Sequence, residues 1–532
     1  MKHTFVFIWS IIVTVIATAI MSYICMATPI GPWAEPTILL LGSLLIRFVY
    51  KTVSDRVAAL GLSTAAAGMG GIIATACAFS FPTLYFLQPV LFNAWLAQPI
   101  YFCTIMAALV ITASALGLLV AHVVEPTVLS SESMPFSIGQ LSHKMIVAQN
   151  QIKKSYELFA GMGVSGILVA IQTLFKSIPQ AITIIPRMDI GAMHIARVTC
   201  KLTTLPIFVA IGFITGKILT IPLLVGVFSK YLILEPLHTF AFAHITNDNF
   251  LLAFFSGMVL QGALLSFVDV PALLMRAYKA VHKKVGTFSI QTNTMQQIAW
   301  YAPICIAVLL IPFFAYFGFS LLAQLYILIG TIICIYQLII IAGKIGLAPL
   351  GRFATFVMVP GLLFFGFNGI QATIVATFVE VSGGVAVDAL FGRKMGQLAA
   401  IDRRYIVWFQ MLGVVVAALS IGAIFIMLIS HLGLQTPELF AQRAQSRAVL
   451  INAYSFDYYV MACGALFAFA LKYFKINSVL VLGGLAMSVD VSLLLVLGGV
   501  MAMCVKDPEE YYSFWSGVFS ASSLWMVLKT LF

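Results

Sequence analysis

The sequence predicts an all-α polytopic membrane protein of about 14–16 transmembrane helices, arranged in two similar halves with interrupted or re-entrant helices. Three observations support this. Hydrophobic residues make up 62% of the 532 and charged residues only 9%, with a mean hydropathy of +1.06, whereas a soluble domain carries roughly 25% charge. Runs of about 20 apolar residues, long enough to cross ~30 Å of hydrocarbon as helices, recur from Phe5 to Leu531. One broken pattern also occurs twice: the Gly- and Pro-interrupted stretch Ile211 to Leu237 precedes Phe255-Ser256-Gly257, and Gly483 to Cys504 precedes Trp515-Ser516-Gly517.

The spans follow in order. Residues 5–27 come after Lys2 and read as a retained first span, because the run exceeds the ~7 to 15 apolar residues of a signal-peptide core. Spans at 33–50, 57–87, 97–124 and 158–175 lead to a complex segment, 204–237, and a span at 250–275. The second series comprises 298–317, 320–342, the long Gly-broken 353–390, 405–429, 458–474, the complex segment 477–504, and 511–531. Counting each complex segment once or twice sets the two ends of the range. The halves divide as 1–290 and 291–532, and the polar stretches 125–157, 176–201, 276–297 and 432–457 read as loops with room for short helices only. Lys51, Arg56, Lys144, Lys153, Lys154, Arg276, Lys279, Lys283 and Lys284 share the cytoplasmic side if the N-terminus is inside and the first half crosses eight times. Arg393, Lys394, Arg403 and Arg404 join them only if 353–390 crosses twice.

The internal repeat is collinear. Pro135 and Gln140 align with Pro437 and Gln442 at an offset of 302, Gly226 with Gly498 at 272, and Gly257 with Gly517 at 260. Most of the drop lies where Ser177 to Thr203 separates two spans in the first half and only Lys475 and Ile476 do so in the second.

Composition also argues against other classes. The net charge of +11 is scattered among loops without a basic stripe, which fits cytoplasmic loops beside acidic lipid rather than nucleic acid. The eight cysteines stand singly without CxxC and read as packing residues, and the His and Met residues are dispersed, so no metal site or cofactor is expected. HExxH, GxSxG and GxxxxGK[ST] are absent.

Ionisable residues inside spans cost at least ~2.5 to 3.5 kcal/mol each and are functional candidates by default. They are Glu35, Lys217, Glu235, Asp269, Lys344, Glu380, Asp388 and Asp490. Glu35, Glu235, Asp269 and Lys344 lie near span ends, where snorkelling suffices. Glu380 best fits a proton-carrying carboxylate whose pKa desolvation raises. It precedes Gly383 and Gly384, which permit a helix break or close helix approach, and Asp388 follows eight residues on, along the same helix face. Lys217, after Gly216, is suited to hold a substrate carboxylate or to anchor at the interface.

Several short motifs then resemble one family. Thr64 to Leu87 resembles an Ala/Gly-rich span ending in an aromatic-Pro step at Pro82, and Pro135-Phe136 with Gly139-Gln140 resembles a Pro-Phe-Pro-x-Gly loop with Ser137 in place of the second Pro. Asp388, Lys394 and Gly396 match an Asp-(x)n-Asp-x-Lys-Thr-Gly signature in which Gly392 replaces the second Asp and Met395 the Thr. Arg404, Gln410 and Gly413 follow a Pro-Arg-x5-Gln-x-x-Gly spacing with Arg403 in place of the Pro. In these residues the chain resembles the oligopeptide transporter (OPT) superfamily, which includes the yellow-stripe-like metal-chelate carriers. The resemblance implies a proton-coupled symporter of small peptides, peptide-like compounds or metal chelates.

The expectation is a multi-pass protein of the cell membrane whose partners are lipid and a small or peptide-like substrate, with homo-oligomerisation open and the proton as coupling ion. Interrupted segments near the midplane would supply polar backbone to the substrate. The alternatives are a passive channel or facilitator on the same scaffold, and a membrane-embedded lipid-modifying enzyme built on His122, Glu125 and His143.

Overall fold

The computed structural model describes residues 2–28, 46, 49–50, 52–129, 134, 136–147, 152–174, 181–190, 195–203, 206–247, 249–258, 260–261, 302–345, 348, 350–436, 438–452, 457–486 and 489–529. Apart from one hairpin, the regular structure is helical. The first helix, α1 (Lys2–Ala27), is followed by α2 (Val53–Ser80), which starts where the Thr52 hydroxyl accepts the Asp55 N–H. Phe81 and Pro82 remain in helical conformation and lead into α3 (Thr83–Leu87), α4 (Pro89–Leu96) and α5 (Pro99–Leu129). Short α6 (Ser137–Val147) and long α7 (Ile152–Leu174) come next.

The 176–201 stretch, expected to hold short helices only, instead contains two antiparallel strands. β1 (Ala181–Ile190) pairs with β2 (Ile195–Thr203), Ala181 facing Thr203 and Ile190 facing Ile195. Both are rich in the β-branched residues that suit a pleated ribbon, and Pro186, which has no N–H to donate, falls in the irregular register between Ile185 and Met188.

The first complex segment is broken as its sequence suggests. After α8 (Pro206–Thr215), Gly216 turns the chain at φ +55°, where a side chain would be strained. Then α9 (Lys217–Ser229) runs through a π-turn at Lys230–Leu234 into α10 (Glu235–Ala241), and α11 (Asn249–Met258) follows.

In the second half come α12 (Ala302–Tyr316), α13 (Leu321–Ile345), α14 (Leu350–Phe365) and α15 (Gly369–Leu398). The long 353–390 segment is therefore two helices. Its break lies at Gly366 (φ +63°) and Asn368, whose Oδ1 accepts the Gln371 N–H at 2.9 Å while Gln371 Oε1 accepts the Asn368 N–H at 3.1 Å, a reciprocal cap. Gly383 and Gly384 stay inside an unbroken helix. The chain ends with α16 (Arg403–Leu432), α17 (Gln442–Ile451), α18 (Tyr458–Tyr473), α19 (Ser478–Ala486), α20 (Val489–Cys504) and α21 (Tyr512–Lys529). Among the described residues seven helices are long and apolar enough to cross a membrane. The chain is an all-α polytopic membrane protein.

Contacts gather the chain into two compact units, and each draws on both sequence halves. One holds Met1–Cys25, Gly31–Asn150 and Ala263–Met427; the other holds Met26–Ile30, Gln151–Gly262 and Leu428–Phe532. The 1–290 and 291–532 halves are thus a different partition from the compact units.

In the first unit, α15 is the hub. It packs against α2, α5, α6, α13 and α14, and its apolar window is wholly buried. Side chains at Gly117, Gly139 and Gly413 would strike the carbonyls of Ser382, Phe391 and Ala66, so small residues set these helix approaches.

In the second unit, α8 packs on α20 and α9 on α19. A Cβ at Gly212 would collide with the Leu495 carbonyl, and one at Gly484 with the Leu223 carbonyl; likewise Gly226 meets Val481, and Gly498 meets Val209. Each contact becomes its counterpart when its numbers are shifted by 272 positions. The same reciprocity joins α7 to α21, where Gly161 meets the Phe514 carbonyl, and α18 to α11, where Gly464 meets that of Phe254.

The two short helices are entered alike. Phe136 (φ 47°) and Ala441 (φ 51°) are left-handed non-glycine residues immediately before α6 and α17. Phe136 donates its N–H to Gly343 near the end of α13 at 2.9 Å, and Ala441 donates to Met26 near the end of α1 at 2.6 Å.

Replacing Gly212 or Gly484 by Leu is expected to destabilise the protein by about 1–3 kcal/mol or more through overpacking, and by similar amounts for the two variants. Gly163→Leu, at a position with no heavy atom within 4 Å of a Cβ, is expected to be neutral. Thermal unfolding in detergent checks all three.

Candidate functional site

Helix α15, whose apolar window is wholly buried, carries four ionisable side chains: Glu380 at 0% exposure, Asp388 at 2%, Arg393 at 5% and the half-buried Lys394. Charges in such surroundings must be partnered or neutral. The structure handles them along the length of the helix.

Toward its N-terminal part, the Ser80 hydroxyl of α2 donates to Glu380 Oε2 at 2.5 Å. Cys77, one turn earlier on α2 and fully buried, is an electrostatic neighbour of the same carboxylate. Nearby hydroxyls on α15 are committed to their own helix, since Thr377 donates to the Thr373 carbonyl at 2.8 Å and Ser382 to that of Phe378 at 2.6 Å. The Gly pair serves close approach: a Cβ at Gly384 would lie 2.8 Å from Ile72 Cγ1 of α2, and one at Gly383 would strike Leu338 of α13. Asp388 lies two turns beyond Glu380, buried in the same helix as its spacing predicts.

Toward the C-terminal part, Arg393 donates from Nη1 to Glu125 Oε2 of α5 at 2.8 Å and from Nε to Gln410 Oε1 of α16 at 3.3 Å. Arg403, at the start of α16, takes the same carboxylate in bidentate fashion, Nε to Oε1 and Nη2 to Oε2, both at 2.7 Å. Arg403 Nη2 also lies 3.0 Å from His122 Nδ1. Gln410 returns its amide N–H to the Ala389 carbonyl at 2.9 Å. One carboxylate and two guanidinium groups therefore tie three helices together, with net charge +1. Lys394 reaches the Leu129 carbonyl at the end of α5 at 3.4 Å.

Glu125, at the edge of the polar 125–157 stretch, is thus buried in an ion cluster rather than part of a loop. Glu125 is 7% exposed and Arg393 is its buried partner. The sequence held one signal: an arginine inside an apolar helix needs a carboxylate. It did not say that the carboxylate lies 268 residues away. His122 and Glu125 do share a cluster, through Arg403, but no hydrogen bond joins His143 to it among the described residues. Glu125 accepts from two arginines at both oxygens, which suits a clamp better than a catalytic base.

The motif positions have structural roles of their own. Pro82 lies buried between α2 and α3, and Gly139 admits α6 against the Phe391 carbonyl. A Cβ at Gly392 would stand 2.7 Å from Gln410 Nε2, so an Asp at that position would displace the Gln410 amide. Gly396 gives room to Ile406, whose Cγ1 would be 2.8 Å from a Cβ there. Arg404 is exposed, its backbone N–H on Asp402 Oδ1 at 2.9 Å.

Lys217 begins α9 and Asp490 lies in the first turn of α20, but their side chains, like that of Lys344, lie outside the described residues. Pro135, Glu35 and Asp269 are also outside them. Glu235 sits half-buried at the start of α10. The break at Gly216 is covered by α20, since a Cβ at Gly499 would be 3.3 Å from the Gly216 carbonyl oxygen. Among the described residues no group of three or more His, Cys, Asp or Glu could hold a metal ion.

No family model matches this sequence, and comparison with characterised proteins gives no match.

Removing one partner of a buried ion pair strands the other. Arg393→Met is expected to cost about 3–5 kcal/mol, and Arg403→Ala less, because Arg403 is half-exposed. Combining Arg393→Met with Glu125→Gln should recover part of the loss, a coupling that a double-mutant cycle on thermal unfolding measures.

Proposed function

We propose that this protein is a secondary active transporter, a proton-coupled symporter of small peptides, peptide-like compounds or metal chelates across the cell membrane. The observation that carries this reading is Glu380: a carboxylate at 0% exposure inside a membrane helix, hydrogen-bonded to a hydroxyl. The expense of burying a carboxylate in a membrane helix argues for a use. Asp388 on the same helix is the second acidic candidate.

Two further features support the reading. The broken segments at α8–α9 and α19–α20 correspond in the two halves and cross each other reciprocally, as expected of an internal duplication in a carrier. The motif residues that resemble the OPT superfamily, among them Gly139, Gly396 and Gln410, sit at close helix contacts of α15 or α16.

In proteoliposomes, uptake of small peptides or ferric chelates is expected to accelerate under an inward proton gradient and to lose that response with a protonophore. Glu380→Gln should abolish gradient-driven accumulation while leaving a folded protein. Uptake that ignores the gradient, or full coupling in both Glu380→Gln and Asp388→Asn, contradicts the reading.

A further inference from the structure

We propose that the lipid-facing side of α16, headed by Arg403 and Arg404, is a binding site for one acidic phospholipid of the cytoplasmic leaflet.

The first observation is where the charge of the first unit lies. The starts of α1, α2 and α16 and the ends of α6 and α15 meet in one apolar cluster that includes Val6, Leu60, Ile146, Met395 and Ile406. The end of α5 joins them through Glu125 and the Leu129 carbonyl. Arg56, Arg393, Lys394, Arg403 and Arg404 belong to this end against Asp55, Glu125 and Asp402, so positive charge is in excess there. No Asp, Glu, Lys or Arg occurs in 80–121 or 353–379, which hold the opposite ends of α2, α5 and α15. Basic charge confined to one end marks the cytoplasmic side, where the leaflet is rich in acidic lipid and basic pockets between helices take its headgroups.

The second observation is that the clamp is short of anions. Arg393 and Arg403 share a single carboxylate. Arg403 is half-exposed and commits Nε and Nη2 to Glu125 and His122, which leaves Nη1 for an acceptor from outside the helices. The neighbouring Arg404 is exposed; its backbone N–H is given to Asp402, and its guanidinium has no ion pair among the described residues. A phosphate diester supplies the anion that both lack, through charge-assisted hydrogen bonds.

The third observation selects a lipid over a free anion. Tyr405, Trp408, Met411, Val415 and Leu419 are 44–69% exposed, and their spacing of three and four residues puts them on one face of α16. The other face is seated in the unit, with Gln410 at 0% exposure and no room for a Cβ between Gly413 and the Ala66 carbonyl. Helix α16 is long and apolar enough to span the membrane, so this stripe meets acyl chains. From Arg404 to Leu419 it runs about 22 Å at ~1.5 Å per residue, longer than one leaflet of a ~30 Å hydrocarbon layer. Tyr405 and Trp408 lie within about a turn of Arg404, at headgroup depth, where such rings anchor. A headgroup phosphate at the arginines with its acyl chain along the stripe satisfies both parts.

The test is thermal unfolding of the purified full-length protein in detergent at constant ionic strength, with phosphatidylglycerol set against phosphatidylcholine and sodium phosphate. A ligand that binds only the folded state raises the midpoint saturably, so phosphatidylglycerol should do so where phosphatidylcholine and phosphate do not. Arg404→Gln, outside the buried clamp, should lower the apparent affinity about fivefold, and Trp408→Ala should lower it as well. Lys472→Gln, which removes an exposed charge near the end of α18, should leave it unchanged. No preference for phosphatidylglycerol over phosphatidylcholine, or the same shift with phosphate alone, overturns the lipid. Unchanged affinity in both Arg404→Gln and Trp408→Ala, or an equal loss in Lys472→Gln, overturns the site.

Discussion

A membrane helix buried on every side and still carrying Glu380, Asp388 and Arg393 is the constraint around which the first unit is built. Apolar side chains alone would fill such a position at no electrostatic cost. Each ionisable group instead requires a donor, a counter-charge or a bound ion, and these must come from neighbouring helices. Ser80 of α2 answers Glu380, while Glu125 of α5 and Gln410 of α16 answer Arg393. The polar chemistry of α15 therefore fixes the register of the helices around it, and glycines at 117, 139 and 384 bring those helices near enough to respond.

The two ends of α15 solve the problem differently. Arg393 is held in a saturated arrangement in which both Glu125 oxygens accept from guanidinium groups, which is stable and leaves little for exchange. At Glu380 the described partner is instead a neutral hydroxyl, that of Ser80. That difference assigns mechanical cohesion to Arg393 and supports the proposal of exchange at Glu380. The second unit is organised by shape instead, with glycine-to-carbonyl contacts exchanged between corresponding segments of the two halves.

Much of the fold was legible because membrane spans are written in local composition. The break at Gly216, the helices on either side of it, and the burial of Glu380 and Asp388 follow from residues within a few turns of each other. The place of the break in the 353–390 segment was harder to see: Gly383 and Gly384 look like the interruption, but the Asn368 cap and Gly366 end one helix and start the next. Pairings across the chain were not legible. Glu125 near a charged loop reads as solvated until α15 brings Arg393 to it, and nothing in the 181–203 stretch announces a hairpin beyond its β-branched residues. Gly392 shows the same limit, since only the structure reveals the Gln410 amide filling the space an Asp would need.

The central claim is that Glu380 exchanges a proton while buried in the bundle. Infrared difference spectroscopy on the reconstituted protein, comparing alkaline with acidic buffer, reads carboxyl protonation directly. A protonated-carboxyl band that titrates with pH and is missing from Glu380→Gln, but kept in Asp388→Asn, is the predicted result. A spectrum in which no such band titrates, or in which Glu380→Gln leaves it unchanged, would contradict the account.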